Sequence, residues 1–412
     1  MTRGVRSGLG SRSFRHLLAA WALSSVGDGV LSAALPLVTA VITRDPLAMS
    51  AVALATLLPW LLVALPAGAI VDRLPVRRTL VVSHLFRSAV TLSLAAVIAT
   101  GAPAVPVLVV GAFLLGSAET FADSASQSLL VSLAGPSELE RANGRVVSVE
   151  TTGVEIAGPL AAATLFAWEP ALCFAAVGVA LAVAALLALA VRDVQPAVAE
   201  RTSLRSEVVA GLRFLVKQPA LRTVVGVVGV TALLTSGVNA VAFLYAIEVV
   251  RLPAASVPTL LVCTAIGTLL AAPVASRWAA RWGSGAVMIS ALLVLAAGIA
   301  LLGAVAVPPL IWVAYFVMGV GAGAWNVLSA ANRQRLTPRP LTGRVTSAHR
   351  VLAWGLMPLG AGLAGPIAEV TSLQAVILGA AVVLIAVVAV AAPRLRRLPG
   401  AEGASETSGS SG

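Results

Sequence analysis

Long apolar runs separated by short polar stretches dominate the sequence and limit what the chain can fold into. A helix of about 20 residues crosses the hydrocarbon core of a membrane. Twelve runs reach that length: 17–42, 47–71, 79–100, 104–131, 143–167, 170–191, 222–248, 255–276, 284–305, 307–331, 344–368 and 372–393. Charged residues make up only 11% of the chain, whereas a soluble domain has about 25%. The pattern predicts an all-α membrane protein with twelve transmembrane helices.

The basic residues indicate how these helices are oriented. If the N-terminus is cytoplasmic, 24 of the 28 Lys and Arg residues fall in cytoplasmic segments, and the outside loops hold only Arg44 and Arg251. Cytoplasmic loops of membrane proteins carry such an excess of positive charge. We therefore predict that both termini are cytoplasmic. Because the arginines form short clusters between apolar runs, the net charge of +11 does not indicate nucleic-acid binding.

The two halves of the sequence repeat each other. Residues 144–148, Gly-Arg-Val-Val-Ser, recur at 343–347 as Gly-Arg-Val-Thr-Ser. Parallel repeats of this kind are typical of transporters with two six-helix halves. We therefore predict a first half at 1–191 and a second half at 222–398.

The segment 192–221 between the halves is polar, and the tail 399–412 consists mostly of Gly, Ser and Glu. In the segment, four leucine and valine residues recur at helical spacing, at Leu204, Val208, Leu212 and Leu215. This spacing predicts an amphipathic helix on the inner membrane surface, with a plain linker as the alternative. The tail has nothing to bury, which predicts disorder.

The loop between the second and third apolar runs packs its charges into a short pattern, Gly-Ala-Ile-Val-Asp-Arg-Leu-Pro-Val-Arg-Arg, at 68–78. The pattern resembles the signature loop between helices 2 and 3 of the major facilitator superfamily. That resemblance implies the major facilitator fold, with two six-helix pseudo-repeats. It also implies a cytoplasmic gate, for which the candidate residues are Gly68, Asp72, Arg73, Arg77, Arg78 and Arg344.

Three further stretches are similar to a bacterial branch of that superfamily, which contains enterobactin-type and macrolide-type exporters. They are 25–37, 116–123 and 343–350. The resemblance implies a multi-pass protein of the bacterial plasma membrane that exports drugs, siderophores or other secondary metabolites. The fifth run matches the antiporter motif of the superfamily only in part, since Ala161 and Ala162 stand where glycines are usual.

Four carboxylates lie well inside predicted spans, at Asp28, Glu119, Asp123 and Glu155. A charged group at that depth is costly, which makes each one a candidate for function. An ionised acid attracts a cationic substrate and a protonated acid releases it, so we predict that these residues couple protons to substrate. The alternative is that an acid pairs with an intramembrane arginine such as Arg87 and only holds helices together.

The second half contributes amides and aromatic side chains at similar depth. The candidates for a substrate cavity are Asn239, Tyr245, Trp325 and Asn326. Such groups among Ala, Val and Leu suit a large, mostly apolar substrate. Helix packing is the alternative for each of them.

The sequence gives no indication of an enzyme, a cofactor or a metal. The single lysine, Lys217, is not part of a phosphate-binding Gly-x-x-x-x-Gly-Lys loop, and the three histidines share no ligand spacing. We therefore predict a secondary active exporter that uses the proton gradient and alternates between two states. Its expected partners are a small-molecule substrate, protons and the lipid bilayer, without nucleic acid or an obligate protein partner. A nutrient importer of the same fold is the first alternative, and a membrane receptor is a remote one.

Overall fold

A computed structural model describes residues 9–71, 73–101, 104–135, 137–193, 212–338 and 341–398. In these ranges the chain forms helices and connecting turns, without a strand, which confirms the all-helical prediction. The chain divides into two compact units. One comprises Met1–Glu200 and Pro253–Thr259, and the other comprises Arg201–Leu252 and Leu260–Gly412.

The first unit is built from eight α-helices within its described residues. They are α1 (Arg12–Ile42), α2 (Pro46–Leu62), α3 (Ala64–Val71), α4 (Val76–Ala99), α5 (Val105–Ala134), α6 (Leu139–Thr151), α7 (Gly158–Trp168) and α8 (Pro170–Leu189). A π-helical segment, Thr152–Ala157, joins α6 to α7, and a 3-10 turn, Ala254–Ser256, also belongs to this unit.

Several of these helices begin at residues that favour a helix N-terminus. The side chain of Ser11 accepts a hydrogen bond from the Phe14 backbone N–H at the start of α1. The side chain of Asp45 does the same for the Leu47 N–H, and Pro46 follows as the first residue of α2. An N-cap oxygen satisfies an otherwise unpaired N–H, and proline loses nothing at the first helical position.

The predicted span 47–71 is interrupted, because α2 ends at Leu62 and α3 begins at Ala64. Pro66 explains the position of the break. A proline ring inside a helix clashes with the carbonyl four residues earlier, and that residue is Leu62, the last residue of α2. The two helices therefore meet at an irregular turn at Val63.

The predicted span 143–167 changes its helix type in the middle. The N–H of Gly158 bonds to the carbonyl of Gly153, five residues earlier, which is the π pattern. Pro159 follows directly and would clash with the Glu155 carbonyl in a regular α-helix. The wider π turn accommodates the proline, and such segments often occur at functional sites.

Within its described residues, the second unit contains a short helical segment at 212–217 and six longer α-helices. They are α9 (Pro219–Glu248), α10 (Thr259–Trp282), α11 (Ser284–Ala304), α12 (Pro308–Leu336), α13 (Thr342–Val370) and α14 (Leu373–Leu395). Close contacts hold α10 against α12, where the Thr268 hydroxyl donates to the Gly319 carbonyl at 3.1 Å. Small residues at a contact allow such an approach of two backbones.

Ten helices in the described residues are long and apolar enough to cross a membrane. Every predicted span overlaps a helix, and the two that do not qualify are the interrupted 47–71 and 143–167. The count of twelve transmembrane helices and the placement of both termini remain predictions. Helix α10 runs on to Trp282 and α12 to Leu336, past the predicted ends at 276 and 331, because arginine side chains can extend from a helix into the headgroup region.

The described residues include only part of the predicted linker, with a helical turn at 212–217. Leu215 in this turn is buried with Leu221, Val225, Val345 and Ala348. Leu204 and Val208, which define the predicted amphipathic stripe, and the tail 399–412 lie outside the described residues. The amphipathic helix, the disordered tail and the limits of the two halves therefore remain predictions.

Candidate functional site

A buried ion pair joins α1 to α4 in the first unit. The Arg87 guanidinium contacts the Asp28 carboxylate through one terminal nitrogen. Its other terminal nitrogen donates to the Ser24 hydroxyl at 3.0 Å. The Arg87 side chain is 1% exposed and the Asp28 side chain 22% exposed, so the pair lies in the helix packing rather than at a surface.

The position of Arg87 follows from a polar stripe on an otherwise apolar helix. His84, Arg87, Ser88 and Thr91 recur at helical spacing along α4, and all four are buried. The Ser88 hydroxyl donates to the Gly178 carbonyl of α8 at 2.6 Å. Packing between α4 and its neighbours therefore places the stripe inside the unit, where the charge of Arg87 needs an acid.

Glu119 and Asp123 bring further negative charge to the same pair. They lie four residues apart on α5, on one face of the helix, and both are half-buried. Both carboxylates interact electrostatically with Asp28 and with Arg87. Three carboxylates thus interact electrostatically with one guanidinium in this part of the described structure, and Asp28 is the one that contacts it. If all three were ionised, two negative charges would lack a balancing cation.

Two other acids lie at the edge of this group. Glu150, near the end of α6, is exposed and interacts electrostatically with Asp28 and Glu119. Glu155 occupies the π-helical segment and is also exposed. Among the described residues, the Glu155 carboxylate makes no hydrogen bond or ion pair. The structure therefore brings Asp28, Glu119 and Asp123 together and leaves Glu155 apart from Arg87.

The predicted cavity residues of the second unit differ in their accessibility. Asn239 on α9 and Asn326 on α12 are exposed. Tyr245 is fully buried, and its hydroxyl donates to the Gly303 carbonyl at 3.4 Å. Trp325 is only 2% exposed. Both side chains are packed between helices in this structure, and the substrate cavity remains a prediction.

The residues predicted to form the cytoplasmic gate separate into different environments. Arg77 lies 3.7 Å from Asp193 and points to the backbone carbonyls of Leu189 and Val191, at the end of α8. Arg73 and Arg78 are exposed, and Gly68 is half-buried. Asp72 and the side chain of Arg344 lie outside what the structure describes. The gate therefore remains a prediction.

The sequence indicated Arg87 only as a structural partner and Glu150 as a structural partner of a loop arginine, and it gave no role to Ser24. The signal for Arg87 was present, since it is an arginine inside an apolar run together with His84, Ser88 and Thr91. Nothing in the sequence showed that Ser24 and Glu150 approach the same acids. Within the described residues, no three His, Cys, Asp or Glu side chains are arranged to hold a metal ion.

The helical units and the charged group inside one of them define a membrane transporter. The profile of the Major Facilitator Superfamily matches residues 17–359, and the chain belongs to this family. It is also 31% identical over 394 residues to the multidrug efflux pump Tap of Mycolicibacterium fortuitum. That alignment covers 91% of this chain and 94% of the pump.

Solved structures of transporters share the fold at low sequence identity. The nucleoside transporter NupG is 12% identical, with a TM-score of 0.77 over 94% of this chain and 99% of NupG. A bacterial homologue of the iron transporter ferroportin, solved in an inward-facing state, is 15% identical. Its TM-score is 0.73, over 92% of this chain and 98% of the homologue. At such identities the likeness concerns the fold alone.

Proposed function

We propose that the protein is a proton-coupled exporter of drugs or related secondary metabolites. The observation that carries the proposal is the surplus of acid near Arg87, which contacts Asp28 and interacts electrostatically with Glu119 and Asp123. The similarity to a multidrug efflux pump over most of both chains supports export as the direction.

The surplus charge gives a simple basis for coupling. Arg87 balances the charge of Asp28, so the charges of Glu119 and Asp123 still need a cation or a proton. An uncompensated charge is costly in a membrane protein interior, and either a proton or a cationic substrate removes the cost. Competition between proton and substrate for Glu119 and Asp123 therefore exchanges one for the other. Asn239 and Asn326 are kept as candidate substrate contacts in the second unit.

The proposal includes a membrane arrangement. Twelve transmembrane helices result if α2 with α3 and α6 with α7 each form one interrupted span. An even number of spans places both termini on one side, and the arginine distribution favours the cytoplasm. The protein would reside in the bacterial plasma membrane and alternate between inward- and outward-facing states. The loop at 68–78 with Arg344 would form its cytoplasmic gate.

The main alternative is an importer of a small nutrient. Structures with the same fold include a nucleoside transporter and peptide transporters, although they share the fold alone. A nucleoside or sugar requires many hydrogen-bonding side chains. Of the four candidate cavity residues, the described structure leaves Asn239 and Asn326 accessible. Two amide side chains offer few hydrogen bonds, which favours a mostly apolar substrate.

Transport of ethidium in inside-out vesicles from a bacterial host without its own pumps tests the proposal. Wild-type protein should accumulate the dye when a proton gradient is imposed, and an uncoupler should abolish accumulation. Glu119→Gln and Asp123→Asn should each lose most of the gradient-driven uptake, because a neutral amide cannot exchange a proton for a cation. Asp28→Asn should lose it as well, since Arg87 would then be free to pair with the remaining acids.

Glu169→Gln provides a matched control, because Glu169 is an exposed acid of the same unit at the end of α7. This variant should transport like the wild type. Uptake that survives the uncoupler would contradict proton coupling. Full gradient-driven uptake by Glu119→Gln and Asp123→Asn would contradict the assigned site. Accumulation of nucleosides or sugars by whole cells, without dye transport, would favour the importer.

A further inference from the structure

A groove between α4 and α5 opens at the surface of the first unit. Its volume is about 460 Å³. Leu74 and Pro75 close one end, the α4 side chains Val82 and Phe86 form one wall, and the α5 side chains Leu114 and Phe121 form the other. Glu119 and Asp123 are not among the lining residues, because they lie on a different face of α5.

The apolar surface of the groove and its length both suit a hydrocarbon chain. Val82 is 56% exposed and Phe86 44% exposed, so the apolar wall of the groove is at the surface and is not buried in the core. From Pro75 to Phe86 the helix rises about 16 Å, at about 1.5 Å per residue. One leaflet of a membrane has about half of the 30 Å hydrocarbon thickness, or about 15 Å. The groove therefore spans roughly one leaflet.

The groove also has a charged end. Arg78, in the first turn of α4, is an exposed lining residue next to Pro75 and Thr79. Arg77, its neighbour in sequence, lies beside Asp193 and the end of α8 and does not line the groove. One of two adjacent arginines thus points into an apolar groove at the end where a headgroup would lie. A cationic substrate would be repelled by Arg78, whereas an anionic amphiphile would be attracted.

We propose that this groove binds an acyl chain of an anionic phospholipid, with its phosphate at Arg78. The bound lipid comes from the leaflet on the arginine-rich side of the membrane. Basic pockets between membrane helices on that side bind anionic headgroups. The charge of Arg78 selects the headgroup, and the apolar walls formed by α4 and α5 hold the chain. This site is separate from the proposed coupling acids and does not depend on proton-driven export.

Native mass spectrometry of the full-length protein in mild detergent tests this site. Phosphatidylglycerol and phosphatidylcholine with identical acyl chains serve as probes. Wild-type protein should bind phosphatidylglycerol more tightly. Arg78→Ala should weaken phosphatidylglycerol binding about fivefold, as expected for the loss of one basic residue near an anionic lipid. Its affinity for phosphatidylcholine should stay unchanged. Arg78→Lys should retain most of the preference.

Two variants separate the groove from general surface charge. Arg77→Ala removes the same charge one residue away and should stay within about twofold of wild type, because Arg77 does not line the groove. Ser117→Phe places a ring against the α5 wall and should weaken binding of both lipids. Thermal unfolding in the same detergent shows whether each variant is folded. If Arg78→Ala does not fold, Arg78→Lys still tests whether a positive charge at this position is enough for the lipid preference.

Several results would overturn the proposal. Equal losses in Arg77→Ala and Arg78→Ala would show that the lipid responds to the net charge of the surface. Unchanged lipid binding by Ser117→Phe would show that no chain enters the groove. Displacement of phosphatidylglycerol by ethidium would identify the groove as a place for the transported molecule instead. Equal binding of both lipids by the wild type would exclude headgroup selection by Arg78.

Discussion

At the residue scale, two arginine–carboxylate pairs of the first unit differ in what they contribute. Arg87 and Asp28 meet inside the helix packing, where the Arg87 side chain is fully buried and the Asp28 side chain is half-buried. Arg77 and Asp193 have side chains that are 37% and 50% exposed and lie 3.7 Å apart. Breaking a buried pair leaves a charge without a partner, whereas an exposed pair is already largely solvated. The buried pair should therefore matter far more to stability.

Arg87→Gln should destabilise the protein by about 3–5 kcal/mol, because Asp28 is left without its cation. The double variant Asp28→Asn/Arg87→Gln should recover part of that loss, since neither side chain then carries a charge. Thermal unfolding in detergent, followed by circular dichroism, compares the two variants with the wild type. Asp193→Asn serves as the control and should cost less than about 1 kcal/mol.

An equal loss of stability in the single and the double variant would contradict this account. It would show that the shape of the arginine side chain stabilises the packing of α4 and that its charge does not. A loss in Asp193→Asn as large as that in Arg87→Gln would show that burial does not distinguish the two pairs.

At the scale of helices, α1 and the π-helical segment after α6 pack with almost no space between their backbones. A Cβ atom added to Gly29 would lie 2.6 Å from the carbonyl oxygens of Gly153 and Val154. A Cβ atom added to Gly153 would lie 2.8 Å from Cβ of Ser25. Both helices therefore need glycine at this contact, which also positions the turn of α1 that carries Asp28.

Gly29→Ala should destabilise the first unit by about 1–3 kcal/mol, because the added methyl group forces the two backbones apart. Gly144→Ala is the matched control, since a Cβ atom at Gly144 on α6 meets nothing within 4 Å. This control should be neutral or slightly stabilising, because alanine favours a helix over glycine. Thermal unfolding of the purified proteins measures both. If the two variants had the same melting temperature, the close contact would not limit stability.

At the scale of the whole molecule, the arginine distribution makes the topology testable. Single cysteines at Arg44 and Arg251 should react with a membrane-impermeant maleimide added to intact cells, because these residues lie in the predicted outside loops. A cysteine at Arg78 should react only after the membrane is opened. Cys173 is buried, and Cys263 is half-buried in α10, so both native cysteines are replaced by alanine first.

Labelling of the Arg78 position in intact cells would contradict the predicted orientation. If neither outside position is labelled while the cysteine at Arg78 reacts, the orientation of the protein is the reverse of the predicted one. A fluorescent protein fused to the C-terminus gives an independent measurement, since it should be fluorescent in the cytoplasm.

The sequence predicted the helices better than it predicted the surroundings of particular side chains. Every predicted span overlaps a helix, because an apolar run of membrane length leaves a chain few other structures. Proline chemistry alone did not locate the interruptions at Pro66 and Pro159, because Pro36 and Pro358 lie inside helices that continue past them. The burial of Tyr245 and Trp325 could not be predicted, since an aromatic residue in an apolar run faces a cavity or a neighbouring helix with the same local pattern.

The sequence by itself determined that this chain is a helical membrane protein, because hydropathy acts along the chain. It also gave the acids that are candidates for function, since a carboxylate inside an apolar run is costly wherever it lies. Only the tertiary structure decided that Asp28 pairs with Arg87. It also brings Glu119 and Asp123, but not Glu155, into electrostatic interaction with Arg87. The reason is that electrostatic interactions depend on distances between different helices, which helix packing sets and the order of residues does not record.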